Sequence, residues 1–305
     1  DERLVGITAV DLGWLVEEYF RRYPGLRGDP AVTLYLDEVQ VVPGWETFAR
    51  RMIDSEELQL FLCGSSSQML SREVASSMRG RALEVLLQPF SFREALRNAG
   101  AEPVESWDRL NSAARSDLEH RVRRYLLEGG FPEAQGLEDR DRFALLRSYV
   151  DVVVLRDVIE RHEVSNPTAL RWMQHQLLGS PAGLFSVQKQ YKLLKGQGIQ
   201  ASKDTLHAYL SHLEDTFLVS TVSVHAGSAR RRMVNPRKAY PVDQGLIPLY
   251  ERMGRSNLGH ALETAVYHEL RRRGYRWMCA DRRPSTVRSA RCTKPGWNTL
   301  GQSGC

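Results

Sequence analysis

The sequence predicts an α/β protein whose first part is organised on a parallel sheet, and three observations support that. A short β-branched, aromatic and aliphatic run, Val32 to Leu36, stops abruptly at two adjacent acids, Asp37 and Glu38. A second apolar run, Leu58 to Cys63, stops at Gly64-Ser65-Ser66-Ser67, and amphipathic stretches of helical period stand before and between the two. Runs of this composition read as strands buried on both faces of a parallel sheet. Polar residues just past their carboxyl ends line the rim where open α/β sheets bind ligands. The alternative readings are a strand running into an acidic turn and a Ser-rich helix N-cap.

A chain of 305 residues has room for two or three domains, and 42% apolar with 26% charged residues is ordinary globular composition. No apolar run approaches the roughly 18 residues that span a bilayer, and no signal-peptide pattern opens the chain, so a cytoplasmic protein without a membrane partner is expected. A net charge of +5 permits contact with nucleic acid without requiring it. Of the four cysteines, Cys279, Cys292 and Cys305 crowd the end of the chain and none forms a CxxC pair, which argues against a disulfide framework and structural zinc. The chain opens at Asp1 rather than at methionine, which reads as a fragment.

Taken in order, Asp1 to Gly6 reads as a loop and Thr8 to Tyr23 as a helix. Its apolar positions Val10, Leu12, Leu15, Val16, Tyr19 and Phe20 are spaced largely by threes and fours, with Asp11 placed to cap it. Pro24, Gly25, Gly28 and Pro30 punctuate the route into the acidic strand, and Pro43-Gly44 turns into a helix from Trp45 to Ile53. Past the second strand, Ser71-Arg72-Glu73 and Met78-Arg79-Gly80-Arg81 put arginines on a loop, where a guanidinium can neutralise charge on a transferring phosphoryl group of its own or a neighbouring subunit. Leu83 to Leu87 reads as a third strand, and Ser91-Phe92-Arg93-Glu94 has capping-box spacing.

In this order Leu-Tyr-Leu-Asp-Glu-Val-Gln, Val-Pro-Gly-Trp-Glu, Cys-Gly-Ser-Ser-Ser, Leu-Ser-Arg-Glu-Val-Ala, Met-Arg-Gly-Arg and Pro-Phe-Ser-Phe-Arg-Glu resemble a prokaryotic branch of the AAA-type P-loop ATPases. Members of that branch carry a C-terminal region of unassigned role, and the resemblance runs from Asp1 to about Trp277. It implies a P-loop NTPase core, ATP and Mg²⁺ as ligands, and possible assembly with further copies of the chain. Asp37 and Glu38 then resemble the Walker B acids, Asp37 in the Mg²⁺ shell and Glu38 against the attacking water. Ser65 or Ser66 resembles the first sensor, and Arg79 or Arg81 an arginine finger. The family's phosphate loop, G-x-x-x-x-G-K-[ST], should precede Asp1, and the 305 residues hold no Gly-Lys dipeptide. Without that loop's N–H groups and lysine the β- and γ-phosphates have no cradle. The expectation is a core that hydrolyses ATP poorly as it stands.

Beyond the core, Trp107 to Leu127 reads as a helix stopped by Glu128-Gly129-Gly130-Phe131-Pro132-Glu133, a run similar to one that opens the C-terminal region in the family. Arg142 to Arg161 reads as one long helix. Ser186 to Leu218 has the arrangement of a helix-turn-helix: Val187 to Leu194, a break at Gly196-Gln197-Gly198, then a Ser202-capped helix with Leu206, Tyr209, Leu210 and Leu213 inward and Lys203, His207 and His212 outward. A strand from Val219, a basic turn at Arg230-Arg231-Arg232 and a strand at Ala239 to Val242 complete a winged-helix pattern. Lys203, Arg230, Arg231 and Arg232 are the candidate DNA contacts, and a protein-binding winged helix with a solvated basic hairpin is the competing reading. Gly259 to Arg273 reads as a helix with Leu262, Val266 and Leu270 inward. A comparable helix precedes a nuclease-like sheet in relatives, but here Asp281 is the only acid after Glu269, so the tail cannot assemble a carboxylate metal site.

The expected division is 1–125, an AAA-type core without its phosphate loop; 126–180, a helical lid or linker; 181–242, a winged helix; 243–277, a remnant of an α/β nuclease-like domain; and 278–305, an irregular tail. The expected function is a fragment of an ATPase whose Mg²⁺-dependent hydrolysis was coupled to DNA or protein binding. The alternative is a DNA-binding or protein-interaction module independent of ATP.

Overall fold

The computed structural model describes residues 6–65, 82–223, 236–251, 257–277 and 292–293. Two compact units divide the chain, residues 1–86 and 87–305.

In the first unit helix α1, Ala9–Arg22, starts where the Asp11 carboxylate accepts hydrogen bonds from both the backbone N–H and the hydroxyl of Thr8, a reciprocal cap. Strand β1, Thr33–Leu36, and strand β2, Gln59–Leu62, pair in parallel from Thr33↔Gln59 to Leu36↔Leu62. Between them lies α2, Trp45–Ser55, entered through Gly44 at φ 78°, a conformation that favours glycine. Trp45, Ala49, Val39 and Val42 form a small core with Leu12 of α1 and the inward Leu36, Leu60 and Leu62 of the strands. The helices cover this face of the pair. On the other face Tyr35 is 71% exposed and stacks on Phe61 at 5.1 Å, so the expectation of strands buried on both sides is corrected among the described residues. The predicted third strand is absent too. Residues 82–88 are irregular, and Leu83 and Leu87 stand in solvent because no paired neighbour gives their alternation a face to bury.

The second unit begins with α3, Phe92–Asn98, whose N-cap Ser91 and Glu94 close the predicted capping box. Helix α4, Ser112–Glu128, starts later than predicted because the Asn111 side chain accepts from Ala114 N–H at 2.8 Å and fixes the cap there. Helix α5, Asp139–Val152, passes without a break into a π-helical stretch, Val153–Glu160. Leu146, Val150, Val154 and Val158 recur every fourth residue and are all buried. An α-helix turns about 100° per residue, so such a stripe drifts around it. The wider π turn winds it back toward the core.

Helix α6, Pro167–Gly179, supplies the centre of that core with Leu170, Met173, Leu177 and Leu178. Strand β3, Leu184–Phe185, helix α7, Val187–Gly196, helix α8, Lys203–Asp215, and strands β4, Val219–Ser223, and β5, Arg237–Pro241, follow. The three strands form an antiparallel sheet in the order β3-β5-β4. Leu206, Tyr209, Leu210 and Leu213 of α8 are buried, as their spacing predicts. After the short helix α9, Ile247–Tyr250, comes α10, Leu258–Arg272, and here the predicted inward face is corrected. Ala261, Thr264, Tyr267 and His268 are buried, whereas Leu262 and Val266 are exposed. The sheet supplies the reason: Tyr267 stacks on Tyr240 of β5 at 4.2 Å, and Glu263 accepts from Lys238 and from the Tyr240 hydroxyl. Strands β6, Arg276–Trp277, and β7, Cys292–Thr293, form a separate antiparallel pair.

Candidate functional site

Parallel pairing sets the residues that follow β1 and β2 side by side. Cys63 N–H donates to Leu36 C=O at 3.0 Å and Val39 N–H to Cys63 C=O, so the register continues one step beyond the strands. The Cys63 thiol consequently reaches the Asp37 carboxylate at 2.9 Å, and the Ser65 hydroxyl reaches Glu38 Oε2 at 3.4 Å. The bond to Asp37, reinforced by partial burial, pushes the Cys63 thiol up from its ordinary range and keeps it a protonated donor.

Glu38 sits in the left-handed region at φ 49°. That conformation costs a residue with a Cβ about 1–2 kcal/mol. It turns the side chain back along the rim, where Gln40 Nε2 donates to the same Glu38 oxygen that Ser65 reaches. Gln40 is in turn packed under Gly64, where an added Cβ would lie 2.3 Å from Gln40 Oε1. The two carboxylates therefore stand exposed at a strand tip, each with a neighbour that orients it. Among the described residues no cluster of three or more His, Cys, Asp or Glu side chains could hold a metal. Two exposed carboxylates at one rim are the donor type that Mg²⁺ takes, since it binds one or two carboxylates and fills the rest of its shell with water and phosphate oxygen. It does not by itself fit a triphosphate, because the 305 residues hold no lysine-bearing phosphate loop.

Asp37, Glu38 and Ser65 are brought together in this way. Ser66, Arg79, Arg81 and the cluster Arg230, Arg231 and Arg232 lie outside the described residues. Lys203 opens α8 and holds its ammonium 5.5 Å from the centroid of the Tyr191 ring. His207 is exposed, and His212 is half-buried, its ring stacked on His162 at 3.7 Å.

Sequence reasoning passed over two buried ionisable groups in the second unit. Asp243, 2% exposed, accepts from Gly130 N–H through Oδ2 and from Gly245 N–H through Oδ1, both at 2.8 Å, and ties the Gly129-Gly130 turn to the loop after β5. Burial pushes its carboxyl up to about 6 against the pull of those two bonds. His268 Nε2 donates to Pro241 C=O at 2.7 Å, and burial pushes its imidazole down to about 4. The Val-Asp-Gln-Gly run was the available signal for Asp243, since an acid between a strand and a glycine reads as a turn former. No local pattern marks His268.

Comparison with known proteins adds the following. Residues 3–96 match the family described as an AAA domain, and residues 119–256 match a domain of unknown function (DUF8612). The chain is 30% identical over 276 residues to an uncharacterized protein of Methanocaldococcus jannaschii, covering 90% of this chain and 59% of that protein. It is 28% identical over 240 residues to an uncharacterized protein of Haemophilus influenzae, covering 79% of this chain and 58% of that one. The chain thus spans less than two thirds of the length of both relatives. Among solved structures, a Walker-type ATPase of Pyrococcus abyssi aligns with a TM-score of 0.40 and 16% identity over 72% of this chain and 62% of that one. The N-terminal segment is therefore AAA-domain-like. No helix among the described residues is long and apolar enough to cross a membrane.

Proposed function

We propose that the first unit serves in Mg²⁺-dependent hydrolysis of a nucleoside triphosphate such as ATP. The single observation that carries this reading is the rim itself, with Asp37, Glu38 and Ser65 converging at the carboxyl ends of two parallel strands. Asp37 would hold Mg²⁺, which would supply charge neutralisation at the phosphates, and the thiol of Cys63 orients its carboxylate. Glu38, held in place by Gln40, accepts a hydrogen bond from the attacking water and polarises it. Ser65, or its neighbour Ser66, reaches the γ-phosphate, and Arg79 or Arg81 answers the charge that develops there, in the same subunit or in a second copy. Grip on the β- and γ-phosphates would need a phosphate loop, and these 305 residues hold none. The test is a protein extended at its N-terminus to carry that loop. Mg²⁺-dependent phosphate release should appear, and Glu38→Gln should lower turnover by about 10²-fold or more while nucleotide binding persists. An extended protein that binds nucleotide and shows no Mg²⁺-dependent turnover refutes the assignment.

A second reading, for residues 181–242, is a winged helix that contacts DNA or protein. Its support is the order β3, α7, α8, β4, β5 with the antiparallel pairing of the strands. Lys203, Arg230, Arg231 and Arg232 are its proposed phosphate contacts. DNA affinity that falls steeply with salt, and falls again on charge reversal of the three arginines, would support the DNA form. Salt-insensitive or absent binding would leave the protein form.

A further inference from the structure

The two helices between β3 and β4 carry opposite charge. Helix α7 has Lys189, Lys192 and Lys195 as its only charged residues, all exposed, whereas α8 has one lysine against Asp204, Glu214 and Asp215. Among the described residues no carboxylate lies within ion-pair distance of the three α7 lysines. Spaced three apart, they rise about 4.5 Å at each step and fan over about 120° of the helix. Like charges this close repel one another, so the bare protein is destabilised by them and a polyanion laid across them relieves that repulsion.

Beside Lys195 opens a groove of about 720 Å³, lined by Tyr191, Gly198, Ser202, Thr205 and Asn166. Its polar wall is already set: Ser202 Oγ accepts from Thr205 N–H at 3.0 Å, and Asn166 spans Ala169 N–H and Gln200 C=O. Lys195 lines the groove itself, and the Lys203 ammonium lies 5.5 Å from the ring centroid of Tyr191, another of its lining residues.

We propose that the face formed by Lys189, Lys192 and Lys195 along α7, with Lys203 of α8 beside Tyr191, binds the phosphate backbone of a nucleic acid. The inference rests on the reading of residues 181–242 as a contact module, and it adds α7 to the contacts proposed there. A phosphate backbone laid along the outer side of α8 would meet exposed Asp204 and half-buried Glu214 and Asp215. Along α7 it meets only ammonium groups, point charges suited to phosphate oxygens. A bilayer is the weaker match, because Leu193 is the only large apolar side chain that α7 exposes, and an interfacial helix needs a continuous apolar face to insert.

The test is fluorescence anisotropy of a labelled, mixed-sequence DNA duplex titrated with the whole chain at several salt concentrations. These four phosphate contacts at about −0.9 each contribute about −3.6 to the log–log salt slope. The combined variant Lys189→Gln, Lys192→Gln, Lys195→Gln should bind at least about tenfold more weakly, with the slope shallower by about 2.7. The matching Lys→Arg triple variant should keep both affinity and slope, and unchanged circular dichroism in the two sets shows that the fold is intact. If the glutamine variant binds the duplex as wild type does, this proposal falls while DNA binding through Arg230, Arg231 and Arg232 stands. If wild type ignores the duplex but binds polyglutamate or phosphatidylserine vesicles, this proposal and the DNA form of the winged-helix reading both fall.

Discussion

Replacing Asp243 by asparagine should unmask an acid sensitivity that the native protein conceals. The folded-state pKa of Asp243, about 6, lies above the ordinary 3.8. Its contribution to stability is therefore fully present below pH 3.8 and is lost as pH rises through about 6. His268 has the opposite sign. Its folded-state pKa is about 4 against the ordinary 6.5, so its contribution is present above 6.5 and is lost as pH falls through about 4. Each displacement corresponds to about 3 kcal/mol, at 1.36 kcal/mol per pH unit. Across the shared window the two effects nearly cancel. In Asp243→Asn only the histidine remains, so the variant should lose about 3 kcal/mol relative to wild type as pH is lowered from about 7 to 4. The amide carbonyl replaces one acceptor of Asp243, while its NH₂ faces the second buried N–H at a constant cost of about 1–3 kcal/mol. That constant drops out of the comparison between pH values. Urea unfolding of wild type, Asp243→Asn and His268→Gln at three pH values measures the effect, and the glutamine variant should gain on wild type over the same interval. A wild-type-to-asparagine difference equal at both ends of the window would show that Asp243 does not hold a raised pKa, and would refute the reasoning.

Three other outcomes follow from the same packing. Leu170→Ala empties a fully buried position in the main core and should cost about 2–5 kcal/mol by urea unfolding. Gly129→Ala places a Cβ 1.9 Å from Asp243 Oδ1 at a residue with φ 81°, and should lower the melting temperature by at least about 5 °C. In the N-terminally extended protein, Glu38→Gln should lower turnover by about 10²-fold or more with nucleotide affinity retained, as read by phosphate release beside a binding titration.

Much of the fold was legible because its signals act over a few residues. The Thr8–Asp11 and Ser91–Glu94 caps, the ends of β1 and β2, and the buried stripe of α8 stand where spacing puts them. The candidate rim was legible for the same reason: the acids and Ser65 each follow their own strand, and parallel pairing carries them to one edge. Leu83 to Leu87 misled because β-propensity describes how a residue fits a sheet and says nothing of whether a strand stands beside it. In α10 the leucine and valine stripe pointed to the wrong face. An aromatic and polar face outcompetes it when Tyr240 offers a ring to stack on and Lys238 a charge to pair.

By itself, then, the order of amino acids determined the local elements, the acidic strand tip and the two oppositely charged helices, since each is set by neighbours within a turn or a strand's length. Only the tertiary structure decided which side of α10 is buried, how Cys63 and Gln40 hold the two acids, and how far burial displaces the titration of Asp243 and His268. Those outcomes depend on groups brought from distant parts of the chain, whose burial and hydrogen bonds no short stretch of sequence encodes.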